Sequence, residues 1–169
     1  MLHGWALVAQ GHSTQGLAQI QQGLAVSQAI GIEQGRSSCL VYLAAAYGIM
    51  GQPEAGLQVL AEALATARTT GEECYAAEIS RLKGELMLQQ AVPNAHEAET
   101  CFQRALAIAR HQHAKSLELR AAMSLSRLWQ RQGKRETARQ LLAEVYGWFT
   151  EGFDTADLCE ARALLEELG

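Results

Sequence analysis

The sequence repeats itself about every 40 residues, and this period constrains the fold more than any other feature. Small residues recur at spacings of 40, 42 and 40 residues, at Gly16, Gly56, Ala98 and Ala138. Large apolar residues follow four places after each of them, at Ile20, Leu60, Phe102 and Leu142. A fixed period of this length is typical of one supersecondary unit stacked several times along the chain.

Composition indicates that the repeating unit is helical. Alanine, leucine, glutamine and glutamate fill the segments between the turns, and all four are good helix formers. The two prolines interrupt no periodic run, and β-branched residues never form the alternating pattern of a strand. We therefore expect an all-α fold: a right-handed superhelical stack of antiparallel helix pairs, with about four repeats and a C-terminal capping helix.

Turn residues divide the chain into pairs of helices. Gly51 and Pro53 mark one joint, because glycine suits the end of a helix and proline suits its first turn. Asn94 and Glu97 have the spacing of a helix N-cap pair, and Gly133 marks a third joint. These signals predict repeats over residues 1–31, 36–70, 73–113 and 116–150 and a capping helix over 155–168. We expect one domain (1–169), as a fragment of a longer protein.

The repeats resemble the tetratricopeptide repeat (TPR), in a variant with long helices. The family pattern places small and aromatic residues on the first helix, glycine at the turn, and small and large apolar residues on the second. The second repeat matches it with Leu43, Ala44, Tyr47, Gly51, Gly56, Leu60 and Ala63. The fourth repeat matches it with Leu125, Ser126, Trp129, Gly133, Ala138 and Leu142. The resemblance implies a groove lined by the first helix of each pair.

Three segments, residues 75–86, 114–122 and 146–155, resemble the C-terminal repeat region of large bacterial signalling proteins. Those proteins place an ATPase module, and sometimes a class III adenylate or guanylate cyclase, ahead of the repeats. The resemblance implies a regulatory or protein-contact region separated from its catalytic modules.

Charge and hydropathy exclude several function classes. The formal net charge is −4, whereas nucleic-acid binding requires a clustered basic face. No apolar run is long enough to span a membrane, and the first residues lack the pattern of a secretory signal. The four cysteines show no C-x-x-C spacing, and we expect buried thiols in a reducing cytoplasm; they are Cys39, Cys74, Cys101 and Cys159.

No motif indicates catalysis, a cofactor or a metal. His111 and His113 form an H-x-H pair, but side chains two residues apart on a helix diverge, and no further ligand lies at a suitable spacing. Gly133-Lys134 is followed by Arg135 rather than by serine or threonine, so it is not a phosphate-binding loop. We expect a protein that is not an enzyme.

Residues on the first helices, most of them charged, are the candidates for a binding groove. The family's groove positions correspond here to Val41, Glu78, Arg81, Glu85, Arg120 and Arg127. Arginine is well suited to hold a carboxylate or a phosphate through paired hydrogen bonds. Alternatively, the charged residues of the third and fourth repeats pair with one another and bind nothing.

Apolar residues near both ends are candidate interfaces. Leu2 and Trp5 lie on an apolar side of the first helix, which we expect to contact a second copy of the chain or an upstream repeat. Trp148, Phe149 and Phe153 either plug the joint before the capping helix or form an exposed contact patch.

Two function classes follow from these features. The first is a non-catalytic protein-interaction or regulatory domain of a bacterial signal-transduction protein, with a protein or peptide partner. The second is a ligand sensor that binds a small anionic molecule or a peptide end in its groove. A sensor requires an enclosed groove with convergent arginines, whereas a scaffold requires an open apolar surface.

Overall fold

The protein is a stack of helices, each packed against its neighbours along the chain. The computed structural model describes residues 2–31 and 35–169, except for the side chain of Leu2. Within those ranges it has no strand, and its α-helices are α1 (Leu2–Ala9), α2 (Ser13–Ala29), α3 (Arg36–Ile49), α4 (Pro53–Thr70), α5 (Ala76–Gln89), α6 (Ala95–His111), α7 (Lys115–Arg131), α8 (Arg135–Tyr146) and α9 (Ala156–Leu168). A 3-10 turn, Glu73–Tyr75, precedes α5. The expected all-α architecture is confirmed.

The helices form four pairs and one additional helix. α1 packs with α2, α3 with α4, α5 with α6, and α7 with α8, while α9 packs against α7 and α8. The first helices also contact one another from pair to pair, since α3 touches both α1 and α5, and α5 touches α7. This arrangement gives the stack one face made of first helices, on which the candidate groove residues lie.

The repeated small residues lie where helices approach closely. A Cβ atom on Gly56 of α4 would stand 3.1 Å from the carbonyl oxygen of Ala44 on α3 and 2.8 Å from Cδ1 of Leu86 on α5. The equivalent residues of the next two pairs, Ala98 and Ala138, are completely buried. Space at the crossing therefore limits the size of the side chain, as close packing requires.

The large apolar residues of the period fill the space beside these crossings. Ile20, Leu60, Phe102 and Leu142 are all buried. Phe102 on α6 packs directly onto Gly84 of α5, where an added Cβ atom would stand 2.6 Å from Cε1 of the ring. Gly84, a small residue of the first helix, thus makes room for the large periodic residue of its partner helix.

Left-handed backbone conformations end the second helix of each of the first three pairs. Gly31 and Gly71 have φ angles of 70° and 72°, and the equivalent residue 42 positions later is His113, with φ 54°. Glycine adopts this conformation without strain, whereas a residue with a Cβ atom does not. The third repeat therefore has a strained turn where the first two have relaxed ones.

The third pair also has the longest joint between its two helices. α5 ends at Gln89 and α6 begins at Ala95, and the Asn94 side chain accepts a hydrogen bond of 3.1 Å from the backbone N–H of Glu97. The predicted N-cap is confirmed. The extra length of this joint accounts for the spacing of 42 rather than 40 residues between Gly56 and Ala98.

Glu72 connects the end of the second helix pair with the beginning of the same pair through hydrogen bonds. Its carboxylate accepts hydrogen bonds of 2.6 Å from both the Ser37 hydroxyl and the backbone N–H of Gly35, at the N-terminus of α3. The first N–H groups of a helix have no partner within the helix, so this carboxylate supplies one. The hydrogen bonds from Ser37 and Gly35 hold the pKa of Glu72 below its ordinary value.

Candidate binding groove

The first helices of the four pairs enclose a groove of about 440 Å³. The predicted site residues that line this groove are Val41, Glu78, Arg81, Glu85 and Arg120, together with Trp5 from the predicted N-terminal interface. The groove has an apolar end, from α1 and α3, and a charged end, from α5 and α7. This division agrees with the order of apolar and charged residues along the sequence.

Trp5 and α3 form the apolar end of the groove. The Trp5 ring lies 5.6 Å from the Tyr42 ring, at an interplanar angle of 38°. Val41 is buried, while Ala45 is partly exposed and offers little side-chain volume. An apolar side chain of a partner could therefore lie on Ala45, beside the indole of Trp5.

A buried ion pair between Glu78 and Arg81 forms the floor of the charged end. Arg81 donates to both carboxylate oxygens of Glu78, over 2.8 Å from Nε and 2.7 Å from Nη2. It also donates to Glu85 and, over 3.3 Å, to the Ser124 hydroxyl, which in turn donates to Glu85. Arg81 is thus held by internal partners on several sides.

The electrostatics of this ion pair keep both groups charged. Burial alone would raise the pKa of Glu78, but the hydrogen bond and charge of Arg81 and the charge of Arg120 outweigh it and lower that pKa. Burial alone would lower the pKa of Arg81, but its bond to Glu78 and the charges of Glu78 and Glu85 raise it. The pair is therefore a fixed internal dipole rather than a site that exchanges protons.

Arg120 is the groove cation with the greatest capacity to bind a ligand. Its Nη1 lies 3.1 Å from Oε1 of Glu78, which Arg81 already shares, and its Nε lies 3.8 Å from Oδ2 of Asp157 on α9. Its side chain remains 37% exposed. Because a guanidinium carries five N–H donors, Arg120 can bind an anion in the groove without giving up its ion pair with Glu78.

Arg127 lies outside the residues that line the groove, although it is on the same helix as Arg120. Its Nη2 lies 2.6 Å from Oε1 of Glu160 on α9. The carboxylates of α9 thus contact the arginines of α7, and Arg127 serves as a link between these two helices.

The C-terminal aromatic residues divide into inner and outer members. Phe149 is partly buried, whereas Trp148 and Phe153 are 58% and 42% exposed. The Trp148 ring packs edge-on against the Phe149 ring, with 5.3 Å between the ring centroids. The Lys115 ammonium lies 5.5 Å from the centroid of the Trp148 ring. Partner binding by Trp148 and Phe153 stays a prediction. So does an interface at Leu2, whose side chain lies outside the described part of the chain.

Cys74 corrects the expectation of four buried thiols. Cys39 and Cys101 are buried and Cys159 is partly buried, but Cys74 is exposed. The reason is local, because Cys74 lies in the 3-10 turn before α5 rather than on the buried side of that helix.

Among residues 2–31 and 35–169, no cluster of three or more histidine, cysteine or acidic side chains could hold a metal. No helix in those ranges is long and apolar enough to cross a membrane.

Several residues in or beside the groove escaped the sequence analysis. Ser124 joins the ion-pair network, and Tyr42 stacks on Trp5. Ser124 lies four residues after Arg120 on α7, so helical spacing could have placed it on the same face. Asp157 gave no such signal, because its position depends on how α9 folds back onto α7.

Comparison with solved structures identifies the fold. The chain is similar to the nearly identical TPR-like repeats of a proposed kinesin light chain from Podosopora anserina, with a TM-score of 0.68 and 18% identity over 98% of this chain and 81% of the other. A second structure of that protein, which carries a single substitution, gives a TM-score of 0.69 and 17% identity over the same shares. No protein-family model and no curated protein matches this sequence. The predicted TPR-like fold is confirmed.

Proposed function

We propose that this chain is a non-catalytic protein-interaction domain whose groove binds a peptide segment of a partner protein. The observation that carries the proposal is the meeting, in one groove, of an apolar end with a partly exposed arginine, Arg120. Stacked helix pairs typically present an extended concave surface for this purpose.

The two ends of the groove specify the chemistry of the peptide. Because Arg81 is buried and held by internal hydrogen bonds, the partly exposed Arg120 is the better placed of the two to attract an anion. The peptide should therefore carry an apolar side chain that lies on Ala45 and a carboxylate that reaches Arg120. An arginine–carboxylate contact with paired hydrogen bonds is stronger and more directional than a neutral one.

A peptide library selected on the purified chain tests this proposal. We expect the selected peptides to combine an apolar residue with an acidic residue or a C-terminal carboxylate. Ala45→Phe should abolish their binding in titration calorimetry, because the new ring fills the apolar end. Arg120→Gln should raise the dissociation constant at least about tenfold, since a charge-assisted hydrogen bond contributes roughly 1.5–3 kcal/mol.

A matched control separates groove filling from a general effect of added bulk. Ala143 is exposed on α8, so Ala143→Phe should leave peptide binding unchanged. Circular dichroism establishes that each variant is folded. Peptides that bind folded Ala45→Phe and Arg120→Gln as tightly as the original chain would contradict the proposal.

We further infer that the parent protein acts in bacterial signal transduction, in the cytoplasm. Two of the segments that resemble bacterial signalling proteins, residues 75–86 and 114–122, contain the charged end of the groove. The coding sequence upstream of this segment tests the inference. An ATPase or cyclase module in the same reading frame supports it, and a different type of protein there contradicts it.

A small anionic ligand is the second candidate for the groove. Its volume of about 440 Å³ lies within the usual range of small-molecule sites, and Arg120 supplies a cation at one end. A bound ligand stabilises the folded state, so a panel of small dicarboxylates and phosphate esters should raise the melting temperature. Arg120→Gln should remove that increase, and a panel without any effect would leave peptide binding as the better account.

A further inference from the structure

A second cavity, of about 810 Å³, lies between the second helices of the second and third pairs. We call it the outer cleft, and it is lined by Leu64, Ala67, Arg68, Glu73, Cys74, Ala76, Arg104, Ala107, Ile108, His111, Gln112 and Ala114. It shares no residue with the groove, which is lined by first helices. A ligand in the outer cleft would therefore occupy a different site from the one proposed above.

The outer cleft combines an apolar surface with two arginines. α4 contributes Leu64 and Arg68, while α6 contributes Arg104 and Ile108. Within the described ranges, 2–31 and 35–169, neither arginine has a carboxylate within ion-pair distance, although Glu73 lies on the same wall. Two arginines that face one apolar cavity from different helices form a suitable site for an anion with an apolar body.

Gln112 adds a buried hydrogen-bond acceptor beside the outer cleft. Its Nε2 donates a hydrogen bond of 2.8 Å to the backbone carbonyl of Glu73, but its Oε1 is buried and receives no hydrogen bond. Leaving a buried acceptor without a donor lowers stability. A ligand with an N–H group, bound after a small rotation of this amide, would remove that cost.

We propose that the outer cleft binds a small amphipathic carboxylate that carries an amide, the chemistry of an N-acylated amino acid. The acyl chain lies on Leu64 and Ile108, and the carboxylate lies between Arg68 and Arg104. The amide N–H donates to Oε1 of Gln112. The polar groups of the ligand thus meet two arginines without an ion-pair partner and an acceptor without a hydrogen bond among the described residues.

Protection of Cys74 provides a test specific to this site, because its thiol is exposed and lines the outer cleft. The probe is N-octanoylglycine, and the measurement is the rate of Cys74 alkylation by iodoacetamide, followed by peptide mass spectrometry. We expect saturable protection of Cys74 and no protection of Cys159, which is partly buried on α9. Arg68→Gln and Arg104→Gln should each raise the concentration for half-protection about tenfold.

Matched probes and variants assign the contacts. The methyl ester of N-octanoylglycine lacks the carboxylate and should not protect, and N-octanoylsarcosine lacks the amide N–H and should protect more weakly. Arg139→Gln, on the exposed side of α8, and Arg120→Gln, in the groove, should leave protection unchanged. Failure to protect Cys74 would overturn the proposal, as would equal protection by the ester or loss of protection in Arg120→Gln.

Discussion

At the scale of single residues, the Glu78–Arg81 pair decides how the groove can bind. Both side chains are buried, and Arg81 is surrounded by acceptors of the chain itself. An arginine in this state would have to break internal hydrogen bonds before it could hold a ligand. If the groove binds an anion, as proposed, Arg120 is therefore better placed for it than Arg81, and the sequence alone could not distinguish the two.

Removing one member of this buried pair should destabilise the fold. Glu78→Gln leaves the Arg81 charge with Glu85 as its remaining carboxylate partner, and we expect a loss of about 3 kcal/mol in the free energy of unfolding. The double variant Glu78→Leu with Arg81→Met should be nearly neutral, because no buried charge remains. Urea unfolding measures both effects, and a double variant less stable than Glu78→Gln would contradict this account.

Acid should destabilise the protein through carboxylates that are stabilised in the folded state. The pKa values of Glu72 and Glu78 are lowered by folding. The folded state therefore binds fewer protons than the unfolded state, and stability is lost as pH falls below about 4.5, through the folded pKa values. Urea unfolding between neutral pH and pH 3 should show a smaller decline in the free energy of unfolding for Glu72→Gln than for the original chain. An identical decline in the two proteins would assign the effect to other groups.

His113 offers a substitution that should stabilise the protein. Its φ of 54° falls where the first two repeats have Gly31 and Gly71. His113→Gly should raise the free energy of unfolding by up to about 1 kcal/mol, because glycine adopts this conformation without strain. Gly71→Ala is the reciprocal control: its Cβ atom would meet nothing within 4 Å, so a loss of about 1 kcal/mol would be conformational. We expect thermal unfolding to show a higher melting temperature for His113→Gly and a lower one for Gly71→Ala. A lower melting temperature for His113→Gly would contradict the argument.

At the scale of helices, close approach at the crossings should make the small residues difficult to replace. Gly56→Leu would place a side chain against Ala44 and Leu86, at an expected cost of roughly 1–3 kcal/mol or more. Ala61→Leu, on the exposed side of the same helix, should change stability little. Equal melting temperatures for the two variants would show that α3 and α4 are not packed as described.

The sequence predicted the helices well because period and turn chemistry are local properties. Gly51, Pro53 and the Asn94–Glu97 cap all lie at the joints where they were expected. The third pair departed from expectation at its start, where a 3-10 turn precedes α5 and exposes Cys74. Whether a 3-10 turn or an α-helix forms at this position depends on packing against the preceding helices, which a periodic sequence pattern does not predict.

The candidate site was predictable only in part, for a related reason. The resemblance to the repeat family implied that Val41, Glu78 and Arg120 lie on the face formed by first helices, and they line the groove there. The partner of Arg127 could not be foreseen, since Glu160 belongs to α9, outside the repeating pattern. Contacts between non-repeating elements depend on the tertiary arrangement of the whole chain.

At the scale of the whole molecule, α9 closes the core formed by the fourth pair. It buries four apolar residues against α7 and α8, namely Leu158, Ala161, Leu164 and Leu168. Two ion pairs accompany them, one with Arg120 and one with Arg127, both partly exposed. Burial of a leucine side chain contributes about 1.5–3 kcal/mol, whereas an exposed ion pair contributes about 0–1 kcal/mol. Apolar burial should therefore dominate the attachment of α9.

Removal of residues 155–169 tests which of these contributions holds the end of the stack. The truncated chain would expose the core side chains Leu119, Leu142 and Val145, and an apolar patch of this kind promotes association. We expect a lower melting temperature and aggregation in light scattering. Glu160→Gln, which removes only the ion pair with Arg127, should cost less than about 1 kcal/mol and leave the chain unaggregated. If the truncated chain instead remained unaggregated and equally stable, the fourth pair would not need α9 to cover it.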